Sequence, residues 1–268
     1  MPDLLYEKRD GIAYLTFNRP EVHNALSPEL MVRLADAWQD FADDDSLRVA
    51  IVTGAGEKAF CVGADLATFI PLITGARKAE DEWDERVMSD RNLTNPAMLR
   101  DFPMYKPVIA AINGFCMAGG MEMLQGTDIR IAAEHATLGV SEVKRALVPG
   151  GGSMVRLARQ IPYCKAMEIL LTGDRISAEE ACRIGLVNYV VPADELMPTA
   201  ERFARTLAEN GPLAMRKIKE TVIRTSGLSL EEAYKIETQI SGEVFRSEDA
   251  KEGPRAFMEK RTPKYTGR

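Results

Sequence analysis

The chain has 268 residues, enough for one large domain or a domain with a smaller appendage. Hydrophobic residues make up 46% and charged residues 28%, the balance of a globular protein with a real core, and 34 Lys and Arg against 40 Asp and Glu leave a net charge of -6. That sign argues against a global field for nucleic acid or an anionic membrane, and no apolar run is long enough to cross a bilayer.

The first seven residues show no basic stretch followed by an apolar core, so no secretory signal is read. Residues 4–8 and 12–17 are strand-like runs joined at Asp10-Gly11, a hairpin signal. Ser27-Pro28-Glu29 is a helix start, with Ser as N-cap and Pro at the first helical position. Leu30, Met31, Leu34, Ala37, Trp38 and Phe41 follow at helical spacing. Residues 48–53, 107–112 and 128–132 are apolar runs that suit buried strands. Residues 75–101 are polar and weakly patterned, and are expected to form a mobile helix near a ligand. Strands alternating with helices predict an α/β fold. From Ser177 onward the pattern turns helical, with starts at Ser177, Asp194, Pro212, Ser229 and Ser247 and a short strand at 187–191.

Cys61, Cys116, Cys164 and Cys182 make no CxxC pair and no cluster with His23 or His135, the only histidines. No metal site is expected, and the thiols are expected to be reduced and mostly buried in a cytoplasmic protein.

Gly54, Gly56 and Ala59 follow a strand in the looser G-x-G-x-x-A pattern of a dinucleotide site. That pattern should open a helix, yet residues 58–65 carry β-branched residues and glycine. The next acidic pair, Glu80-Asp81, is not at a strand end, and no Tyr is followed four residues later by Lys. A short-chain dehydrogenase is therefore the weaker reading.

Three other stretches carry more chemistry: residues 54–66, residues 113–123 with Ala118-Gly119-Gly120, and residues 138–152. The second reads as a strand, a turn of small residues and a helix start. Helix starts leave backbone N–H groups unpaired and favour negative charge. A second free N–H from residues 54–66 would complete an oxyanion hole. Each glycine run alone is also explained as a plain turn. Glu122 lies in the first helical turn among Met121, Met123 and Leu124; Glu142 follows an apolar strand. Facing one cleft they would suit general acid–base work. Alone, each has a plain role, at a helix dipole or beside Lys144 and Arg145.

Together these stretches resemble the crotonase superfamily, the enoyl-CoA hydratase/isomerase family. The likeness begins at Asn18-Arg19-Pro20-Glu21 and Asn24-Ala25-Leu26. It runs through Gly63-Ala64-Asp65, Ala118-Gly119-Gly120, Leu171-Thr172-Gly173 and Gly185-Leu186-Val187, and ends at 257–261. The resemblance implies an α/β spiral of ββα units over 1–195, holding the CoA and catalytic site. It also implies a helical region over 196–268 that builds a homotrimer or homohexamer. It implies an oxyanion hole from the N–H groups of Ala64 and Gly119. CoA would lie along Val22, His23, Ala25, Lys58, Val62, Ala64, Asp65, Leu66 and Gly119, and Phe257 and Lys260 would reach the CoA of a neighbouring subunit. Glu122 and Glu142 match both glutamates of family hydratases, where an isomerase usually keeps one. The implied activity is hydration of a trans-2-enoyl-CoA, with Glu122 activating water and Glu142 delivering a proton. Isomerisation and a carnitinyl-CoA-type dehydration are the alternatives within the family, and a catalytically silent binding protein stands outside enzymes. No cofactor is implied beyond the CoA of the substrate, and no nucleic-acid or membrane partner. Met121, Ala146 and Ser153 stand where the family often has glycine.

Overall fold

The structure is a computed structural model and describes residues 1–90 and 92–268. Among the described residues, ten strands form two sheets. They are β1 (Leu4–Arg9), β2 (Ile12–Phe17), β3 (Val49–Gly54), β4 (Ala59–Cys61), β5 (Val108–Ile112), β6 (Phe115–Met117), β7 (Ile129–Ala133), β8 (Thr137–Gly139), β9 (Ile176–Ser177) and β10 (Tyr189–Val191). The larger sheet has the order β1-β2-β3-β5-β7-β10, the smaller β4-β6-β8-β9. Each central strand of the large sheet hands the chain to one in the small sheet: β3 to β4, β5 to β6, β7 to β8. That alternation winds the chain as a spiral, with parallel pairing between successive turns in each sheet.

The hairpin turn has φ +52° at Asp10 and +75° at Gly11, as a tight two-residue turn requires. Central strands are apolar throughout because both faces are covered. Val108, Ala110 and Ile112 of β5 face one core cluster, and Ile109 and Ala111 face the other. The first cluster includes Leu30, Leu34, Trp38 and Phe41 of helix α1 (Pro28–Asp43). Ser27 caps that helix by accepting the Leu30 N–H at 3.0 Å. At its far end Lys106 donates to the carbonyls of Phe41 and Asp44, at 2.8 and 2.7 Å.

Short helix α2 (Phe69–Ile73) precedes the segment 75–101 that was expected to be helical near a ligand, and α3 (Glu82–Ser89) and α4 (Thr94–Ala97) lie within it. Asp81 caps α3 through the Asp84 N–H at 2.8 Å. Arg86 pairs with Asp36 on α1, so this segment is fastened to the core. The chain after β3 enters β4 rather than a helix, which removes the basis of the dinucleotide pattern.

The remaining helices are α5 (Gly119–Leu124), α6 (Ser153–Gln160), α7 (Tyr163–Thr172), α8 (Ala178–Arg183), α9 (Leu196–Glu209), α10 (Pro212–Thr225), α11 (Leu230–Phe245) and α12 (Glu248–Met258). Ser177, Ser229 and Ser247 each cap the helix that follows. Helix α9 starts after a 3-10 turn at Ala193–Glu195, close to the expected start at Asp194. Its Leu196, Ala200 and Ala204 cover the second face of the large sheet. Cys61 and Cys116 are buried side by side on β4 and β6, whereas Cys164 is exposed and Cys182 half-buried. The expectation of mostly buried thiols holds for only two of them, because α7 and α8 carry the others at the surface.

Candidate active site

The loop before α1 is shaped by one buried amide. His23 and Asn24 have φ of +55° and +56°, a conformation Asn tolerates well. The Asn24 side chain accepts the Arg19 N–H at 2.9 Å and donates to the carbonyls of Ala55 and Ala59, at 3.1 and 2.7 Å. It therefore staples the Asn-Ala-Leu segment to the β3–β4 turn. Arg19 extends the staple: its guanidinium donates to the Ala25 carbonyl at 2.6 Å and to Asp65 at 2.8 Å. The Asp65 carboxylate also accepts the N–H groups of Ala67 and Thr68, at 2.8 and 3.1 Å. Burial pushes this carboxyl up, but those bonds and Arg19 outweigh it and hold it below its usual range. Asp65 thus shapes the Gly63-Ala64 turn.

That turn meets the start of α5. Gly63 has φ +91°, and a Cβ there would fall 2.6 Å from the Ala118 Cβ and 2.8 Å from the Gly119 nitrogen. Only glycine lets the two backbones adjoin so closely. Ala118 holds φ +50° and ψ -125°, a conformation that costs about 1–3 kcal/mol and marks a functional turn. Among the described residues, neither the Ala64 N–H nor the Gly119 N–H has a hydrogen-bond acceptor. Two free donors on adjoining turns suit an oxygen that gains negative charge.

Both glutamates come to this place. Glu122 is 4% exposed in the first turn of α5. Burial raises its proton affinity; the backbone N–H groups of Ser153, Gly151 and Gly152 and the charge of Arg100 temper the effect. Glu142 opens a 3-10 turn, Glu142–Arg145, after β8. Its pKa is pushed up to about 7, first by burial and further by the charge of Glu122. Its Oε2 is buried with no hydrogen-bond partner among the described residues. A buried carboxylate oxygen left unpaired beside a second carboxylate is poised for a proton.

A cavity of about 630 Å³ opens here. Val22, His23, Ala25, Val62, Ala64, Asp65, Leu66 and Glu142 line it, as do Met117 and Ala118. Gly119 and Glu122 are not among the residues that line it; Gly119 directly follows the lining Ala118. Lys58 is exposed on the β3–β4 turn and does not line it. Phe257 and Lys260, at the end of α12, are exposed and outside the cavity of this chain.

The wall also holds residues that sequence reasoning passed over: Ile70, Phe115, Leu147, Arg145 and Arg175. The Arg175 guanidinium sits 5.3 Å from the centre of the Phe115 ring. Among the described residues neither Arg145 nor Arg175 has a carboxylate partner, while Lys144, which also lines the cavity, is held by Asp174 at 2.5 Å. Arg145 was visible beside Glu142 in sequence, but Arg175 arrives through the turn at Gly173, a contact no local pattern announces.

A family model described as enoyl-CoA hydratase/isomerase matches residues 7–268. Enoyl-CoA hydratase EchA19 of Mycobacterium tuberculosis is 44% identical, over 100% of this chain and 97% of its own. Carnitinyl-CoA dehydratase of Proteus mirabilis is 38% identical over 97% of both chains. The crystal structure of enoyl-CoA hydratase EchA1 from Mycobacterium marinum matches with a TM-score of 0.88 at 38% identity, each chain covered at 100%. With one likeness running from the first hairpin to the last residue, the chain belongs to the enoyl-CoA hydratase/isomerase family, the crotonases.

Proposed function

We propose that the protein is an enoyl-CoA hydratase that adds water reversibly to a trans-2-enoyl-CoA, giving the 3-hydroxyacyl-CoA. The N–H groups of Ala64 and Gly119 hold the thioester oxygen and draw electron density from C3. Glu122 accepts a proton from water as the water oxygen bonds to C3. Glu142 delivers a proton to C2, and the two carboxyls exchange protons as one coupled pair. A pKa of about 7 lets Glu142 carry that proton near neutrality and take it back in the reverse direction. Such chemistry needs no redox cofactor and no metal, since CoA enters with the substrate.

The observation that carries this reading is the unpaired, buried Oε2 of Glu142 next to a second buried carboxylate. Val22, His23, Ala25, Val62 and Leu66 offer a wall for the pantetheine, and Lys58, exposed on the β3–β4 turn, is assigned to the CoA from the family resemblance alone. Arg145 and Arg175 add positive charge that suits the phosphates of CoA. Phe257 and Lys260 reach the CoA of a neighbouring subunit in a homotrimer or homohexamer. We assign the protein to the cytoplasm, where its four free thiols stay reduced.

The test follows loss of the conjugated thioester's ultraviolet absorbance with crotonyl-CoA. Glu122→Gln and Glu142→Gln should each lower kcat by about 10²–10⁴-fold. No turnover of crotonyl-CoA or longer enoyl-CoAs by the wild type would sink the hydratase reading. The 38% identity to a carnitinyl-CoA dehydratase supports one second reading: dehydration of a substituted 3-hydroxyacyl-CoA by the same two glutamates.

A further inference from the structure

Glu122 is gripped from one side by the start of α6, and that start is gripped in turn by α5. The Ser153 N–H donates to Glu122 Oε1 at 3.3 Å. The Ser153 hydroxyl accepts from Gln125 Nε2 at 2.7 Å. Glu122 and Gln125 stand three residues apart and so share a face of α5. Two helices are therefore stitched in both directions: α6 gives a donor to Glu122, and α5 gives a donor to Ser153. Ser153 is 0% and Gln125 3% exposed, so no water competes for these bonds.

Gln125 is itself fixed. Its carbonyl accepts from Gln160 Nε2 at 2.8 Å and from Arg130 Nη2 at 3.2 Å. Its second amide hydrogen goes to the Met121 carbonyl at 3.1 Å. Its Oε1 is buried with no partner among the described residues. An apolar side chain of the same size would fill this space without an unpaired oxygen. Packing alone therefore does not account for the amide; its donated bonds do. The hydroxyl is equally particular, because Ser153 stands where glycine is usual in the crotonase pattern.

We propose that Gln125 and Ser153 are positioning residues for Glu122, a reciprocal clamp that fixes the direction of its carboxylate toward the water it activates. The inference rests on the hydratase reading for its catalytic consequence. Other charged groups facing Glu122 are Glu142, Arg100 and Arg156. Arg100 is anchored on the Gly150 carbonyl at 2.6 Å, and Arg156 on the carbonyls of Met98 and Leu99. None of them bonds to Gln125 or to the Ser153 hydroxyl, so removing the clamp leaves them in place.

The Ser153 N–H favours the charged carboxylate, so loosening it raises the proton affinity of Glu122. The base form is then lost at higher pH, and the acid limb of the kcat profile moves up. Ser153→Ala and Gln125→Leu should each lower kcat roughly tenfold or more, as a small misplacement of a catalytic group does. KM for crotonyl-CoA should stay within about twofold, since uniform binding is untouched. The acid limb should move to higher pH, and Ser153→Thr should restore both kcat and limb. The double variant should be no worse than either single one, because both cut the same arm. A lower melting temperature with an unmoved limb, or additive losses in the double variant, would overturn the clamp. If the wild type turns over no enoyl-CoA, the hydratase reading fails separately. The clamp is then judged by infrared titration of the Glu122 carboxyl, assigned through its loss in Glu122→Gln. An unchanged midpoint in Ser153→Ala would overturn it there too.

Discussion

Glu142 shows function and stability pulling in opposite directions at one side chain. Its folded pKa, about 7, lies above the ordinary glutamate value, so the folded protein holds this proton more tightly than the unfolded chain. On its account stability is fully present at low pH and is lost as pH rises from the glutamate range through 7. Glu142→Gln removes that penalty. After allowance for solvent screening of a half-buried group, it should stabilise the protein by about 1–2 kcal/mol at pH 8 and by almost nothing at pH 4. Thermal melts at the two pH values check this, and a variant less stable at pH 8 would contradict it. Activity should move the other way and collapse. A second residue carries strain of a different kind. Ala146 follows the Glu142 turn with φ +55° and ψ +32°, a left-handed conformation that disfavours a Cβ. The family pattern has glycine here, and the geometry gives the reason. Ala146→Gly should stabilise by about 0.5–1 kcal/mol, the relief of strain less the added freedom of the unfolded chain. A lowered urea midpoint would refute it.

Between elements, the site depends on a staple that starts outside it. Arg19 and Asn24 fasten the loop before α1 to the β3–β4 turn, and Asp65 carries the fastening to Ala64. Asp65→Ala would leave a mostly buried guanidinium short of a partner and two N–H groups unpaired. Stability should fall by about 1–3 kcal/mol, and kcat/KM by roughly 10- to 100-fold as the Ala64 N–H shifts. Asp65→Asn keeps the acceptors for Ala67 and Thr68 and should recover most of the activity. Equal losses in both variants would mean that charge, not the shape of the turn, is what matters. This staple also marks the limit of local reading. Helix starts at Ser27, Ser177, Ser229 and Ser247 were legible because a cap acts on residues two or three positions away. The long strands were legible because burial on both faces writes an unbroken apolar run. The strands β4, β6 and β8 have three residues each, too few to show a period; an apolar strand was legible before Glu142, where β8 lies, but nothing announced that it pairs into a second sheet. The approach of Glu142 to Glu122 depends on that sheet. Spacing alone therefore left it open, and only likeness to a family implied it.

Across the whole molecule, the C-terminal helices leave apolar surface that a lone chain does not use. Ile218 and Val222 on α10 and Phe245 on α11 are each at least 66% exposed. They border a groove of about 290 Å³ between the two helices. Leu230 and Tyr234 extend the apolar surface along α11, and Phe257 and Met258 project from the end of α12. Patches of this kind on a folded chain mark contact with a partner. In the closed ring of identical subunits proposed above, these faces would be covered and Phe257 and Lys260 would meet a neighbour's cavity rather than their own. Analytical ultracentrifugation should give the mass of three or six chains. Ile218→Glu with Val222→Glu buries charge in such a contact and should yield monomers. Those monomers should keep the hairpin and sheets by circular dichroism yet show a KM for crotonyl-CoA raised roughly tenfold or more, as expected when two contacts to the cofactor moiety are lost. Phe257→Ala in the intact assembly should raise KM in the same direction without changing the mass. If the wild type is monomeric and fully active, the C-terminal surface serves some other contact and the CoA site is complete within one chain. If the double variant is monomeric but its KM is unchanged, assembly and substrate binding are separate properties, and Phe257 and Lys260 have no part in holding CoA.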